Sequence, residues 1–402
     1  MSQTRQPGTP SLLRAINDRA ALELLLERGP LTRAQLGELT GLSKVTASQL
    51  VERLEERQLV ARVGELAGGR GPNAQLYAVV PSSAYVVGVH VGPTTVVAAS
   101  ADITGRMTAR VEVTTHGADD PVGRVHTAVM EAAKQANASW DRVRRVVLGT
   151  PGIVDPVSGD IAFAFDLPHW HHGLRDALRA DLDRPVSFEN DVNLAAIAEA
   201  RLGAARGISD FALVWISRGV GLATVLSGRL HRGTAGWAGE IGYLYVPGGE
   251  PPDFARTGDP RGVLPSFQHT INETTVRDLA RAHGFDAPTA AEAVAEVVAE
   301  VLAGGKAGEP VLEELARRIA VGVVAVSVVV DPSLVVIAGD VGSAGGDGLA
   351  KRVQDHVARV APVSPRVVVT QVPGEPVLQG ALLTALDDTR EEVFAGPANA
   401  TR

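Results

Sequence analysis

Tyr85-Val-Val-Gly-Val-His-Val-Gly-Pro-Thr-Thr-Val-Val-Ala-Ala-Ser100 reads as an apolar strand, a tight turn at Gly92-Pro93, and a second apolar strand. Apolar runs of this length suit strands that are covered on both faces. The same opening recurs over residues 211–226, with a glycine turn at Gly219-Val-Gly221. Around the two copies the periodicity alternates. A strand is expected at Val111–Thr114, a helix over Asp120–Ala138, and a buried strand at Arg145–Gly149 running into Thr150-Pro-Gly152. A helix from Asn193 to Gly203 follows Phe188-Glu-Asn-Asp191. Alternating helices and strands predict a layered α/β body, and the repetition predicts two duplicated lobes with a ligand site in the cleft between them.

Composition narrows the class. At 402 residues the chain needs more than one unit, and 45% hydrophobic with 21% charged residues is globular. The longest apolar run, Ile319 to Val330, ends at Asp331-Pro332 and is too short to span a bilayer. With no charged-then-apolar segment at the amino terminus, a cytoplasmic protein with no membrane partner is expected. The absence of cysteine removes disulfides and every thiolate metal site. The net charge of −8 is uneven: residues 1–80 hold ten Lys and Arg against eight Asp and Glu, while residues 81–402 hold 28 against 38. A slightly basic head on an acidic body hints at nucleic acid.

The head carries the stronger signal. Ser11–Arg28 has an apolar face of Leu12, Leu13, Ile16, Leu22, Leu24 and Leu25, and Gly29-Pro30 ends it. Thr32-Arg-Ala-Gln35 has the spacing of a capping box that opens a short helix ending at Gly41. Ser43 is then placed as N-cap of a third helix, Lys44 to about Arg57. Two helices around a short glycine turn make a helix-turn-helix. Ala47, Leu50, Val51 and Leu54 must face the head's own core, which leaves Lys44, Thr46, Ser48, Gln49 and Arg53 on the other face. Thr46, Gln49 and Arg53 form one stripe suited to a major groove, where Gln pairs with adenine and Arg with guanine or phosphate. A plain solvated helix face is the alternative. Strand-like runs at Leu59–Gly64 and Ala74–Val80 flank Gly68-Gly-Arg-Gly-Pro72, a wing whose Arg70 would reach phosphate or the minor groove.

These residues resemble the ROK family (repressors, open reading frames and sugar kinases), and within it the winged-helix transcriptional regulators. The head does so through Arg14-Ala-Ile-Asn17, Leu31-Thr-Arg-Ala-Gln-Leu36, Gly41-Leu-Ser-Lys44 and Gly68-Gly-Arg70. The body does so through Gly149-Thr-Pro-Gly152, Asn190-Asp-Val-Asn193, Gly228-Arg-Leu-His-Arg-Gly233, Ala238-Gly-Glu-Ile-Gly242 and Asp331-Pro-Ser-Leu-Val-Val-Ile337. The resemblance implies a winged helix-turn-helix over residues 1–82 and a two-lobed actin-like (ribonuclease-H-like) body over 83–402. Lobe one would take about 83–196 plus a C-terminal helix at 375–390, and lobe two about 197–374. It also implies sugar binding and oligomers built on dimers.

Departures from the family pattern shape the functional expectation. The family's kinases hold phosphate with an Asp-x-Gly-Gly-Thr-Lys hairpin, matched here by His90-Val-Gly-Pro-Thr-Thr95. Proline removes an amide donor and forbids the close approach that glycine permits. The second phosphate turn reads Ser217-Arg218-Gly219 instead of Gly-Thr-Gly. Asp191 matches the catalytic aspartate of similar kinases, yet without phosphate machinery it is a binder, so no catalytic residue and no cofactor are expected. The family's zinc-binding histidine corresponds to Tyr243, its three cysteines are missing, and the last sugar-gripping glutamate corresponds to Pro265. No metal is expected there, and the loop would be held by Pro247, Pro251, Pro252, Pro260, Val263, Leu264 and Phe267. His169-Trp-His-His172 is a weak metal candidate, with Trp170 suited to packing in the cleft.

Gly152, Asn190, Asp191, Glu240 and Tyr243 are the expected ligand residues, since Asn/Asp/Glu groups grip vicinal hydroxyls. The plainer reading of Asn190-Asp191 is a helix cap, and of Glu240 a solvated turn. The resulting expectation is a DNA-binding regulator, a repressor, acting as a homodimer or homotetramer on operator DNA and sensing a sugar or related metabolite. Two alternatives stand beside it: a sugar kinase with a fused head, and a ligand-independent regulator.

Overall fold

The computed structural model describes residues 10–67, 73–114, 120–163, 167, 173–246, 266–362 and 365–395. They divide into two compact units, one of residues 1–148, 175–187 and 381–402, the other of residues 149–174 and 188–380. Among the described residues no helix is long and apolar enough to cross a membrane.

The first unit opens with α1 (Pro10–Arg28), β1 (Leu31–Thr32), α2 (Arg33–Thr40), α3 (Lys44–Glu56), β2 (Val60–Leu66) and β3 (Ala74–Val79). The three strands form one small sheet in the order β1-β3-β2. Local chemistry sets the helix ends. Thr32 accepts from the Gln35 amide while the Gln35 side chain accepts from the Thr32 amide. Gly41 takes a left-handed φ of 71° to close α2, and Ser43 caps α3 by accepting from the Thr46 amide. Ala47, Leu50, Val51 and Leu54 are buried on α3, as their spacing predicts. Helix α1 differs from expectation: Leu22 and Leu25 are buried, but Leu12, Leu13 and Ile16 are exposed. Only its second half reaches the sheet and helices that bury it.

The same unit continues with β4 (Tyr85–Val91), β5 (Thr95–Asp102), β6 (Met107–Thr114), α4 (Pro121–Gln135) and β7 (Val143–Thr150). In chain order the hairpin β8 (Ile153–Val154) and β9 (Ile161–Phe163), which belongs to the second unit, comes next, then α5 (Leu174–Leu182) and β10 (Val186–Asn190). A five-stranded sheet runs β10-β7-β4-β5-β6. The second unit adds α6 (Asp191–Leu202), β11 (Phe211–Ile216), β12 (Val220–Leu226) and β13 (Arg229–His231). Next come α7 (Phe267–Ile271), α8 (Glu273–Arg281), α9 (Ala290–Leu302) and α10 (Glu309–Val330). The chain closes with β14 (Leu334–Ala338), α11 (Gly339–Val360), β15 (Arg366–Val369) and α12 (Pro376–Ala395). Its sheet runs β13-β12-β11-β14-β15. In both sheets the first strand is central, an antiparallel meander leaves it on one side, and the fourth and fifth strands add on the other. The repeated strand openings in the sequence therefore mark a real duplication.

The compact units do not divide at residues 82 and 83. The head's core of Leu22, Leu25, Leu36, Leu50, Leu54 and Tyr77 continues into Ala84, Ile103 and Phe394. The passage from head to body is itself buried at Ser83 and Ala84, and the Ile103 amide donates to the Pro81 carbonyl. Nor does lobe one keep residues 149–174 and 188–196. A Cβ at Gly236 would overlap the Val154 carbonyl, and one at Gly221 would meet Val192 Cγ2 at 2.7 Å. These close approaches tie the β8 hairpin and α6 into the second unit.

Candidate functional site

Helix α3 presents the candidate DNA-reading surface. Its burial confines the apolar side to the head core, leaving Lys44, Val45 and Gln49 exposed, with Thr46 and Ser48 half-buried. Thr46 is partly a capping residue, its hydroxyl 2.9 Å from Ser43 Oγ. Arg53 departs from the expected stripe. Its guanidinium donates to Asp18 Oδ1 at 2.7 Å on α1, and Asp18 is nearly buried. A guanidinium engaged with a nearly buried carboxylate braces the head, and Arg57 shares that carboxylate at 3.5 Å. The exposed stripe is Val45, Gln49 and Glu52, with Val45 69% exposed. Val45 is apolar, which by residue type assigns it to the core, but its position opposite Leu50 and Leu54 sets it on the outer face. An exposed aliphatic side chain there suits a thymine methyl. Arg70 lies outside the described residues.

The candidate ligand residues all fall in the second unit. Asn190 ends β10 and caps α6, its Oδ1 accepting from the Asn193 amide at 3.1 Å. Its Nδ2 donates to the Gly152 carbonyl at 2.9 Å. The helix thus begins at Asp191 rather than Asn193, and both polar atoms of Asn190 already have a structural partner. Gly152 contributes its backbone carbonyl, and its φ of +119° is one that glycine takes without strain. Glu189 beneath them is buried. Its Oε1 accepts from the Asn190 amide and from Asn193 Nδ2, and its Oε2 from Arg232 Nε at 2.7 Å.

Asp191 stands in the first turn of α6 with its Oδ1 accepting from the Val192 amide. It keeps some accessible surface but lies deep within surrounding protein. Burial pushes its carboxyl up to about 7, against the smaller opposite pull of backbone hydrogen bonds from Val192 and Asp191. Desolvation therefore outweighs the favourable helix N-terminus. A carboxyl poised near neutrality can accept from or donate to a hydroxyl.

Gly239 places Glu240. Its φ is +100°, a Cβ would overlap the Leu222 carbonyl, and its own carbonyl accepts from the Leu222 amide at 2.9 Å. Since Val192 packs on Gly221 and Gly239 on Leu222, the Asp191 and Glu240 segments meet adjacent residues of β12. Arg232 reaches Glu189 by its side chain and accepts from the Ala238 amide by its carbonyl. The structure thus brings Gly152, Asn190, Asp191 and Glu240 into one neighbourhood. Tyr243 closes a short 3-10 turn, Ile241–Tyr243, and its ring meets Trp237 edge-on at 6.0 Å. Trp237, half exposed, is an aromatic the sequence reading passed over.

The family's zinc does not fit this donor set. There is no cysteine, and a tyrosine packed against a tryptophan replaces the histidine. Phe267, with its amide on the Leu244 carbonyl and its ring in the core, anchors the far end of the loop. Pro247, Pro251, Pro252, Pro260, Val263, Leu264 and Pro265 lie outside the described residues, as do His169, Trp170, His171 and His172.

The two phosphate-type turns use their polar groups internally. The Gly92 amide donates to the Thr95 carbonyl at 2.8 Å, and Pro93 has no amide proton. In the second unit the Ser217 amide donates to the Gly219 carbonyl, and Ser217 Oγ donates to Asp340 Oδ2 at 2.6 Å. Asp340 lies in the first turn of α11, where the helix dipole favours an anion, and a carboxylate of the protein already fills that role.

Comparison with known proteins matches these features. The ROK family pattern covers residues 86–388, and the MarR family pattern covers residues 17–71. The chain is 25% identical over 247 residues to the xylose repressor of Bacillus subtilis (strain 168), covering 59% of this chain and 62% of that protein. It is 26% identical over 245 residues to the DNA-binding transcriptional dual regulator NagC of Escherichia coli (strain K12), covering 60% of each. The matched region thus spans about three fifths of these curated relatives. Among solved structures, a ROK family transcriptional regulator described as a homolog of the E. coli MLC protein aligns with a TM-score of 0.71 at 18% identity. It covers 95% of this chain and 99% of that one. The ROK hexokinase of Thermus thermophilus aligns with a TM-score of 0.60 at 26% identity, covering 76% of this chain and 99% of that one. A winged-helix head, a duplicated α/β body and a family pattern over three quarters of the sequence agree, and the chain belongs to the ROK family.

Proposed function

We propose that this protein is a sequence-specific DNA-binding transcriptional regulator, acting as a repressor, whose body binds a sugar or related polyol without phosphorylating it. The observation that carries this reading is α3: capped by Ser43, buried through Leu50 and Leu54, and offering Lys44, Val45 and Gln49 to solvent. A small helix with that division of faces is what a major groove requires. The relatives, a xylose repressor and a DNA-binding transcriptional dual regulator, support the same direction. One head reads few base pairs, so a homodimer or homotetramer on a repeated or palindromic operator follows.

Ligand sensing is proposed for Asp191 and Glu240, with Gly152, Asn190 and Tyr243 shaping their surroundings. The kinase reading retains one supporting observation, the raised Asp191 carboxyl, which suits a general base. Against it stand Pro93 in one phosphate turn and the Ser217–Asp340 bond at the other. The test has two parts. Selection of genomic fragments on the full-length protein, followed by footprinting, should yield one repeated motif. ADP release with a panel of hexoses and N-acetylated amino sugars should stay at background. Turnover that vanishes in Asp191→Asn would establish the kinase instead. A polyol panel that leaves both melting temperature and motif binding unchanged would establish a ligand-independent regulator.

A further inference from the structure

The end of the chain is built into the head. Phe394, on the last turn of α12, is fully buried in the cluster that holds Leu22, Leu25, Leu50, Leu54 and Tyr77. Beside it the Val393 carbonyl accepts from Arg57 Nη2 at 2.6 Å. Arg57 is the C-terminal cap of α3, and its Nη1 lies 3.5 Å from Asp18 Oδ2. One turn earlier, Arg390 donates through Nε and Nη2 to the Ile103 carbonyl at 3.0 and 2.9 Å. On the same helix Asp388 lies 3.5 Å from Arg145. The carboxyl end of α3 is therefore fixed by a residue 336 positions away in sequence.

We propose that the last turn of α12 is a working part of the DNA-reading head, with Arg57 as the positioning residue that transmits its hold to α3. A buried carboxylate on one side and a helix-terminal carbonyl on the other leave the guanidinium one favourable pose, which a charge-assisted pair of contacts maintains. The Val393 carbonyl lies near the negative end of its helix, where a cation is favoured. Without these contacts α3 keeps its cap and its apolar face but loses the constraint on its carboxyl end. The geometry that Lys44, Val45 and Gln49 present to DNA then becomes variable. The DNA-reading role of the brace rests on the regulator reading above, whereas the brace itself does not.

The test uses the full chain and four proteins: wild type, Arg57→Met, Arg57→Lys and Phe394→Ala. Amide hydrogen exchange is followed over residues 44–56, with residues 211–226 as an internal control, and DNA affinity is measured against salt on the motif recovered by genomic selection. Arg57→Met and Phe394→Ala should each accelerate exchange over 44–56 and weaken DNA binding by about tenfold, leaving residues 211–226 unchanged. The slope of affinity against salt should not change, because no phosphate contact is removed. Arg57→Lys, which keeps a cation and a donor, should recover most of both losses. A salt slope smaller by about one in Arg57→Met, with unchanged exchange, would make Arg57 a phosphate contact and overturn the proposal. Unchanged exchange over 44–56 in Phe394→Ala would also overturn it. If wild type selects no DNA motif, the regulator reading fails, and the exchange comparison still decides whether the brace exists.

Discussion

Arg53 Nη2 lies 2.7 Å from Asp18 Oδ1, joining α3, the candidate DNA-reading helix, to the first helix through a nearly buried carboxylate. The pair makes Arg53 a stabilising residue. Arg53→Ala should lower the stability of the head by about 1.5–3 kcal/mol, the range for a hydrogen bond to a charged group, with Arg57 limiting the loss. DNA binding should fall by a similar factor for every sequence. Thermal denaturation together with binding to single-base operator variants checks this. Normal stability with relaxed preference at one base pair would return Arg53 to the groove.

Lys44 and Gln49 are exposed on α3 and should separate charge from base reading. Lys44→Ala should weaken binding to all sequences and reduce the salt slope by about one. Gln49→Ala should cost about 1–3 kcal/mol on the best site and less on a site changed at the base it reads. Val45→Ala should act like Gln49→Ala at a thymine position, with no change in slope. Titrations over a range of salt on a matched and a single-base-substituted duplex distinguish the three.

Much of this was legible in the residues because it depends on neighbours in sequence. The Thr32–Gln35 box, the Ser43 cap and the buried Ala47, Leu50, Val51 and Leu54 are short-range consequences of spacing and side-chain type. The duplicated sheet openings were legible for the same reason. The pairing of Arg53 with Asp18 was not legible, because Asp18 lies 35 positions earlier and periodicity cannot see which exposed cation finds a buried anion. The hold of Val393 and Phe394 on the head is hidden more deeply, since helix α12 reads only as a C-terminal helix. At the candidate ligand site the residue types were legible, but the commitment of Asn190 to Asn193 and Gly152 was not decided by sequence alone.

The Glu189–Arg232 pair should hold the two halves of the candidate ligand site together. Glu189 is buried and the Arg232 side chain is 43% exposed, so the pair is partly screened. Arg232→Ala should destabilise the protein by about 2–3 kcal/mol, because the carboxylate keeps its amide donors and loses its cation. The double variant Glu189→Gln with Arg232→Met should recover more than half of that loss. Urea denaturation of the three proteins measures it, and equal stability of Arg232→Ala and wild type would reduce the pair to a surface contact.

Asp191 should make stability depend on pH. Its folded carboxyl titrates near 7, above the ordinary unfolded value of 3.8. Well below 3.8 both states are protonated, and the group contributes no difference. Between about 4 and 7 the unfolded chain releases its proton while the folded chain holds it, so stability falls as pH rises. Above 7 both are ionised and the penalty stays constant. Asp191→Asn removes this term. The variant should match wild type near pH 4 and exceed it at pH 8 by roughly 1–3 kcal/mol, allowing for the surface Asp191 keeps. Paired denaturation curves at pH 4, 6 and 8 test it, because other titrating groups cancel in the difference. A stability gain independent of pH would mean that Asp191 is ionised throughout this range and that burial does not govern its carboxyl.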